Sequence, residues 1–394
     1  MKKALIAIAV ATLMSGTAAA QEVKVGIIFG FTGPIESMTP GMAESAELAF
    51  KEVNDSGLFL NGEKLASVRA DTTCVDASIA QAAAERLITN ENVAAIVGSD
   101  CSSASIAIAN NIAVPNGVVM VSPASTSPAL STIADNGYFF RTVPSDARQG
   151  EVLAQILKDR GVDEVAVSYA NVDYGRGLSD SFATFFVANG GKITVATPHD
   201  DGKGDYSAEV GTLSAAGGQM LAVFGRADQG GSGIIQAALD TGAFNTFLLG
   251  DGMYSRTVLD AFGGDLEGSI GTVPWSEGEG ADSFESTAKA ANLDPDGAFR
   301  RESYDAAALI ALAMQKAGSS DRTAIRDAML DVANAPGEKI LAGELAKGLQ
   351  ILKDGGEVDY VGATNVELIG VGEAAGTYRE YVIENGDYTT VRFH

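Results

Sequence analysis

The sequence contains few of the side chains on which most enzymes and metal sites depend. Its 394 residues include two cysteines, two histidines and one tryptophan. Two thiols alone do not make a zinc site, and the histidines, His199 and His394, lie far from the cysteines along the chain. A Ser-His-Asp triad has little support, and the sequence contains no G-x-x-x-x-G-K-[ST] phosphate loop. We therefore expect no metal, no cofactor and no enzymatic activity.

Positive charge and long apolar runs are also scarce. The 27 Lys and Arg residues face 51 Asp and Glu residues, which gives a formal net charge of −24. A chain with this charge does not favour nucleic acid or anionic lipid. After the first twenty residues no apolar run reaches the roughly 18 residues of a membrane span, so we expect a soluble mature chain.

The first twenty residues have the features of a signal peptide. Lys2 and Lys3 form a basic start, an apolar stretch too short to cross a bilayer follows, and Ala18–Ala20 gives a small-residue cleavage pattern. An uncleaved amphipathic helix is the other interpretation of this segment. We predict removal of residues 1–20, a mature start at Gln21 and export to the periplasm.

Export would place the two cysteines, Cys74 and Cys101, in an oxidising compartment. In an oxidising compartment a pair of cysteines predicts one disulfide. The bond would close a loop of about 28 residues, worth roughly 3–4 kcal/mol on the chain-entropy model.

The rest of the sequence predicts an α/β fold with parallel sheets. Apolar strands alternate with amphipathic helices, a succession that covers a parallel sheet on both faces. The first unit has predicted strands at 23–29, 65–71, 93–98 and 117–123 and helices at 42–54, 77–89 and 104–113. A second unit of similar size starts near residue 139, with strands at 164–170, 192–197, 219–225 and 246–252 and helices within 139–161 and at 177–190 and 231–242.

The last third of the chain differs from the two units before it. The segment 271–277, GTVPWSE, is interpreted as a crossing between them. Three helices follow without strands of their own, so we expect them to pack on the first unit. The end of the chain is predicted to form a β-hairpin, with Asn385-Gly386 as its turn.

Several motifs resemble those of the periplasmic solute receptors of the branched-chain amino-acid-binding family. They are GIIFGFTGPIE, the Cys74…Cys101-Ser102-Ser103 spacing, MVSPASTSPAL, FFRTVPSD, NVDYGRGL, LGDGMYS and YDAAALIALAMQKAG. The resemblance implies two Rossmann-like lobes joined by three crossings, with a ligand held in the cleft between them. The crossings would lie near Val143-Pro144, Val273-Pro274 and Tyr378. The lobes would comprise residues 21–143 with 275–376, and residues 144–274 with 377–394.

Ser102 is the first candidate for ligand binding. It follows a predicted strand at the start of a helix, where free N–H groups favour anions. From the residues alone an N-cap is the favoured interpretation of Ser102. The resemblance implies that Ser102 binds the ligand carboxylate, and a bond between Cys101 and Cys74 would pre-position it.

The stretch SPASTSP, residues 122–128, ends the next strand. On composition it could be an ordinary turn. The resemblance implies that Thr126 also holds the carboxylate and that the carbonyl of Ala124 accepts a hydrogen of the ligand ammonium.

Asp251 is the candidate in the second unit. It could be part of a common Asp-Gly turn, but the resemblance implies a counter-ion for the ligand ammonium, a strong charge-assisted contact. Tyr174 corresponds to a tyrosine that lines the cleft, or else is a packing aromatic. Met38 lies where leucine-binding members have an aromatic wall, or else belongs to a loop.

The sequence departs from the family at one pocket position. Counting back from Asp251 without a gap places Ala227 where tyrosine is usual, which predicts a larger or more polar pocket. Arg226 and Asp228 flank it. Arg226 would meet a second carboxylate of the ligand or lie in solvent, and we favour solvent.

The resemblance as a whole implies a non-enzymatic receptor for a small amino acid, branched-chain or related. It would be a monomer that delivers its ligand to an ABC permease in the inner membrane. Two alternatives remain: the ligand could be an aromatic or aliphatic carboxylate, or the closed protein could signal to a sensor partner instead of a permease.

Overall fold

The computed structural model describes residues 22–394. The predicted signal peptide, residues 1–20, and the predicted start at Gln21 lie outside the described residues. None of the helices in the described part combines the length and the apolar character that crossing a membrane requires.

Strands and helices alternate through most of the described chain. The strands are β1 Glu22–Phe29, β2 Lys64–Asp71, β3 Ala95–Gly98, β4 Val119–Ser122, β5 Phe139–Arg141, β6 Glu164–Ala170, β7 Lys192–His199, β8 Met220–Phe224, β9 Phe247–Leu249, β10 Ile270–Pro274, β11 Glu338–Leu341, β12 Val358–Gly362, β13 Leu368–Ile369, β14 Glu373–Ala374, β15 Tyr378–Glu384 and β16 Asp387–Phe393. The helices are α1 Thr39–Ser56, α2 Ala77–Thr89, α3 Ser102–Ile108, α4 Asp146–Asp159, α5 Asp173–Ala188, α6 Ser207–Ala216, α7 Gly230–Thr241, α8 Arg256–Phe262, α9 Glu279–Ala290, α10 Arg300–Ala317, α11 Arg322–Ala333 and α12 Leu345–Lys353.

Two seven-stranded sheets form the cores of two lobes. Their strand orders are β13-β14-β5-β4-β3-β1-β2 and β16-β15-β10-β9-β8-β6-β7. Most neighbouring strands are parallel, and the antiparallel pairs are β13-β14, β10-β15 and β15-β16. The α/β fold class with two parallel-sheet lobes is therefore confirmed.

Burial follows from the position of each strand in its sheet. Every residue of the central strands β3 and β4 is buried, because helices cover both faces of the sheet. In the edge strand β2 only Leu65 and Ala70 are buried, and the other residues are half-buried or exposed. The continuous apolar runs in the sequence are therefore the inner strands.

The chain passes between the sheets three times. It leaves the first sheet after β5, returns to the first lobe after β10, and leaves again between β14 and β15. These crossings support the lobe limits expected from the sequence, residues 21–143 with 275–376 and residues 144–274 with 377–394, which we propose for this protein.

The three helices that follow the second crossing begin with α9. Helix α10 packs against α1 and against strands β3 and β4, on the first sheet as expected. Its residues from Arg301 to Gln315 are all buried. The expectation that these helices have no strands beside them is wrong, because β11 and β12 form a small parallel sheet that contacts α9 and α12.

The last two strands form the predicted hairpin. Strands β15 and β16 pair antiparallel, and Asn385 and Gly386 both have positive φ, 55° and 74°. Asn-Gly is the pair that a two-residue turn of this kind favours. The hairpin extends the second sheet, since β15 pairs with β10.

Candidate functional site

A cavity lies between the lobes, at the carboxyl ends of parallel strands. It contains about 480 Å³ of empty space, counting space open to solvent. Ligand sites in open α/β sheets occupy this position, because helix N-termini and loop N–H groups converge there. The residues that line it are Ile35, Met38, Asp100, Cys101, Ser102, Ser103, Ala124, Thr126 and Phe299 in the first lobe, and Val172, Tyr174, Arg226, Asp251 and Gly252 in the second.

Most of the residues singled out in the sequence line this one cavity. They are Met38, Ser102, Ala124, Thr126, Tyr174, Arg226 and Asp251. Of the predicted pocket residues, Ala227 is not part of the wall. The binding role of each residue stays a prediction.

Two contacts hold the loop after β3, a disulfide at Cys101 and a hydrogen bond at Ser102. Cys101 is disulfide-bonded to Cys74, as the sequence predicted. The next residue, Ser102, is the first residue of α3, and its hydroxyl does not cap that helix. Instead its Oγ accepts a hydrogen bond from the N–H of Ser127, at 3.1 Å. The hydroxyl proton of Ser102 therefore stays available to a ligand.

The loop after β4 presents Thr126 with an unpaired hydroxyl. Its buried Oγ1 makes no hydrogen bond of good geometry, although it lies near enough to Asp146 to lower the pKa of that carboxyl. The carbonyl of Thr126 accepts from the N–H of Asp146, at 2.8 Å. The carbonyls of Ser125 and Ser127 each accept from Nη1 of the buried Arg141, at 3.0 Å. These contacts fix the loop, and the Thr126 hydroxyl lines the cavity together with Ala124.

Asp251 follows β9 and also has an unpaired oxygen. Its Oδ1 accepts from the Tyr174 hydroxyl at 2.7 Å and from the Gly252 N–H at 2.8 Å, but the buried Oδ2 has no partner. Burial raises the pKa of the Asp251 carboxyl to about 6. Burial and the adjacent Asp251 charge raise the pKa of Tyr174 well above its ordinary value, so the phenol stays protonated and donates.

Gly252 allows the close contact between Asp251 and Tyr174. A Cβ at this position would lie 2.7 Å from the carbonyl oxygen of Gly225 and 3.0 Å from the Tyr174 hydroxyl. Contacts this short require the neighbouring atoms to shift. Close packing therefore favours glycine at position 252, in addition to the turn that the Asp-Gly pair forms.

A second buried carboxylate, Asp146, lies behind Asp251. Burial, and next the charge of Asp251, raise its pKa well above the ordinary value. The side-chain amide of Gln149 satisfies its neighbours when its nitrogen faces Asp146 and its oxygen faces Asp251. In this orientation the nitrogen donates to Asp146 Oδ1 at 3.0 Å, and the oxygen accepts from the Asp251 N–H at 3.2 Å. Sequence reasoning missed Asp146, although it ends the FFRTVPSD motif. The raised pKa favours the protonated form of Asp146, so Asp251 carries the negative charge at this end of the cavity.

Arg226 is buried, and the expectation that it lies in solvent is wrong. Its side chain donates from Nε to Asp201 Oδ2 at 2.8 Å, and Nη2 contacts the same carboxylate. Nη1 donates to the carbonyl of Cys74 in the opposite lobe, at 2.9 Å. The carboxylate that Arg226 meets belongs to the protein, which the sequence did not indicate because Asp201 lies in a different loop.

Ala227 lies beside the cavity but does not line it. Its methyl is buried against an outer groove shared with Phe31 and Glu36. Its N–H donates to the carbonyl of Gly252, at 3.0 Å. The chain turns after β8 so that Arg226 reaches the cavity and Ala227 does not, and the gap-free count therefore placed the wrong residue in the pocket.

Sequence reasoning also missed an apolar part of the wall. Ile35, Val172 and Phe299 contribute to it together with the predicted Met38. Phe299 precedes α10 with a φ of 60°, an uncommon conformation for an aromatic residue.

Asp100 is a polar residue of the cavity wall that sequence reasoning missed. Both of its oxygens accept from the Gly30 N–H, and burial raises its pKa to about 6. The sequence signal that could have identified Asp100 is its position immediately before Cys101, in GSDC.

Comparisons with known proteins agree with this geometry. The family model described as periplasmic binding protein matches residues 22–344. The leucine-, isoleucine-, valine-, threonine- and alanine-binding protein of Pseudomonas aeruginosa is 28% identical over 82% of this chain and 86% of its own length. A Leu/Ile/Val-binding protein homolog of Brucella suis is 31% identical over 81% of this chain and 85% of its own. The crystal structure of a leucine-binding protein of Thermotoga maritima has a TM-score of 0.76 and 26% identity, and the match covers 94% of this chain and 98% of that one.

Proposed function

This chain belongs to the periplasmic binding protein family, and on that premise we propose that it is a receptor for a small amino acid with an apolar side chain. It captures the ligand between its lobes and delivers it to an ABC importer.

The observation that carries the proposal is a pair of buried polar atoms without partners. Thr126 Oγ1 belongs to the first lobe and Asp251 Oδ2 to the second, and both residues line the same cavity. A buried polar group without a partner costs about 1–3 kcal/mol. The α-carboxylate of an amino acid would satisfy the hydroxyl and its ammonium would satisfy the carboxylate. Such a ligand removes both costs only when the lobes are closed around it.

The remaining head-group contacts follow from this placement. Ser102, whose hydroxyl proton is available, joins Thr126 in binding the carboxylate. The carbonyl of Ala124 accepts one ammonium hydrogen, and Asp251 accepts another. Tyr174 holds Asp251 in position through its hydroxyl. The apolar wall around Met38 then contacts the ligand side chain.

A carboxylate without an amine is the alternative ligand. It would bring a second negative charge next to Asp251 and would leave Asp251 Oδ2 without a partner. Arg226 offers no free positive charge to offset it, since Asp201 already pairs with that guanidinium. These charges favour an amino acid.

The wider role follows the family. We propose a periplasmic, monomeric and non-enzymatic protein that uses no cofactor or metal and whose physiological partner is a permease of the inner membrane. Delivery of the closed form to a signalling partner would use the same cleft.

Ligand binding to the Asp251→Asn variant tests the proposal. Asparagine keeps the shape of Asp251 and removes the negative charge, so we expect binding of the best amino-acid ligand to weaken at least tenfold, on the order of 1.4 kcal/mol. Isothermal titration calorimetry measures the affinity, after a thermal-shift screen of amino acids and benzoates on the wild-type protein selects the ligand.

The matched control is Asp265→Asn, at an exposed acidic residue of the same lobe. We expect it to bind like the wild type. An unchanged affinity in Asp251→Asn would contradict the ammonium role. A rise in melting temperature with 4-hydroxybenzoate but with no amino acid would assign the site to the alternative class.

A further inference from the structure

Two residues of one loop bridge the cleft to the opposite lobe. Arg226 and Asp228 lie between β8 and α7 in the second lobe. Arg226 Nη1 donates to the carbonyl of Cys74, and Asp228 Oδ2 accepts from the N–H of Ser37 at 2.8 Å. The Asp228 N–H also donates to the carbonyl of Pro34, at 3.0 Å. All three partners in the first lobe are main-chain atoms.

Both side chains are held in place from within the second lobe. Arg226 forms an ion pair with Asp201, and the side chains of Arg226 and Asp201 are each only 7% exposed. Asp228 Oδ1 accepts from the Thr257 hydroxyl, at 2.9 Å. Fixing these side chains before the lobes meet reduces the rotamer entropy that is lost on closure.

The bridging loop is also bonded to the ligand site. Between the two bridging residues, the Ala227 N–H donates to the carbonyl of Gly252, and the Gly252 N–H donates to Asp251 Oδ1. The loop therefore moves with Asp251. A displacement of Asp251 towards a ligand would displace Arg226 and Asp228 in the same direction.

The two residues also differ in depth. Arg226 is buried and lines the cavity, whereas Asp228 is half-buried in a groove that opens at the surface. Arg226 therefore closes one edge of the cavity, and Asp228 lies outside it, between the cavity and solvent.

We propose that Arg226 and Asp228 form a clasp that holds the lobes closed and sets how long a ligand remains bound. The clasp exists only when the lobes are together, so it slows ligand escape without contributing to the first encounter. The proposal rests on the function proposed above, but it holds for any ligand of this cleft, because its bonds involve only protein atoms.

Ligand dissociation from the Asp228→Ala variant tests the clasp. Stopped-flow measurements with L-leucine should give a dissociation rate about tenfold faster than that of the wild type and an unchanged association rate, since the lost bonds form only after capture. Asp228→Asn keeps an oxygen for the Ser37 N–H and should restore part of the slow dissociation. Asp265→Ala, an exposed acid of the same lobe, is the matched control. An unchanged dissociation rate in Asp228→Ala overturns the clasp.

Hydrogen exchange provides a second readout, recorded on each protein saturated with whichever ligand the thermal-shift screen selects, because the clasp exists only in the closed form. The amides of residues 33–38 should exchange faster in Asp228→Ala than in the wild type and in Asp265→Ala. Equal exchange in all three proteins overturns the clasp. Failure of L-leucine to bind the wild type instead contradicts L-leucine as the ligand, and the exchange experiment then decides on the clasp by itself.

Discussion

The ionisation of Asp251 depends on its burial and on the charge of what occupies the cavity. Burial raises its pKa to about 6, and a ligand ammonium would lower that pKa by favouring the charged form. Ligand binding therefore releases a proton between the two pKa values. Affinity should be constant above about pH 6 and fall as the pH drops below it, approaching tenfold per pH unit.

Calorimetric titrations between pH 8 and pH 4.5 measure this dependence. Asp100 also lines the cavity with a pKa of about 6, so a variant is needed to assign the effect to Asp251. Asp251→Asn should show weak binding with a much flatter pH profile. The same pH profile in the variant and the wild type would exclude Asp251 as the titrating group.

The residues that the family resemblance singled out, and that line the cavity, share one structural position. Ser102, Thr126 and Asp251 each follow a strand of a parallel sheet, and the carboxyl ends of such strands meet at one edge. Arg226 was misjudged because its burial depends on Asp201, which is distant in sequence. Asp146 was missed because its role depends on the charge of Asp251, a contact between loops that no local pattern reports.

At the scale of elements, the disulfide fixes the loop that carries Ser102. We expect the double variant Cys74→Ala, Cys101→Ala to lose about 3–4 kcal/mol in the free energy of unfolding, because the bond constrains a long loop in the unfolded chain. Urea denaturation followed by circular dichroism measures the change. Treating the wild type with a reducing agent should reproduce the loss, and the native protein should show no free thiol. Equal stability of the variant and the oxidised wild type would contradict this role.

The elements that could be predicted were those with a strong periodic pattern. The predicted limits of α2 and β6 match the structure, because a regular apolar pattern and clear boundary residues coincide there. Helix α6 was missed because it buries only Val210 and Leu213 and so has a weak pattern. Strands β11 and β12 were missed because each is short and partly exposed, and they pair with one another outside the main sheets.

At the scale of the whole molecule, the single tryptophan of the sequence lies at a crossing between the lobes, where a hinge motion would take place. Trp275 follows β10 in the second crossing, with the Arg301 guanidinium of α10 at 4.0 Å from its ring centre and that of Arg379 in β15 at 5.0 Å. The two arginines belong to opposite lobes. Any change in the angle between the lobes alters the stacking around the indole.

We therefore predict that ligand binding changes the intrinsic fluorescence of Trp275. Emission is recorded during a titration with the ligand that calorimetry identifies, with excitation selective for tryptophan. Trp275→Phe should remove the signal while ligand binding persists. Binding observed by calorimetry without any change in emission would mean that the hinge does not move.

The three crossings also have a consequence for biosynthesis. Neither sheet is complete until the last part of the chain is available, since β14 pairs with β5 in the first sheet and the β15–β16 hairpin borders β10 in the second. A nascent chain emerging from the ribosome therefore lacks an edge of both lobes until translation is nearly finished. Shortening the polypeptide by the final hairpin would leave β10 as an open sheet edge, a surface prone to aggregation.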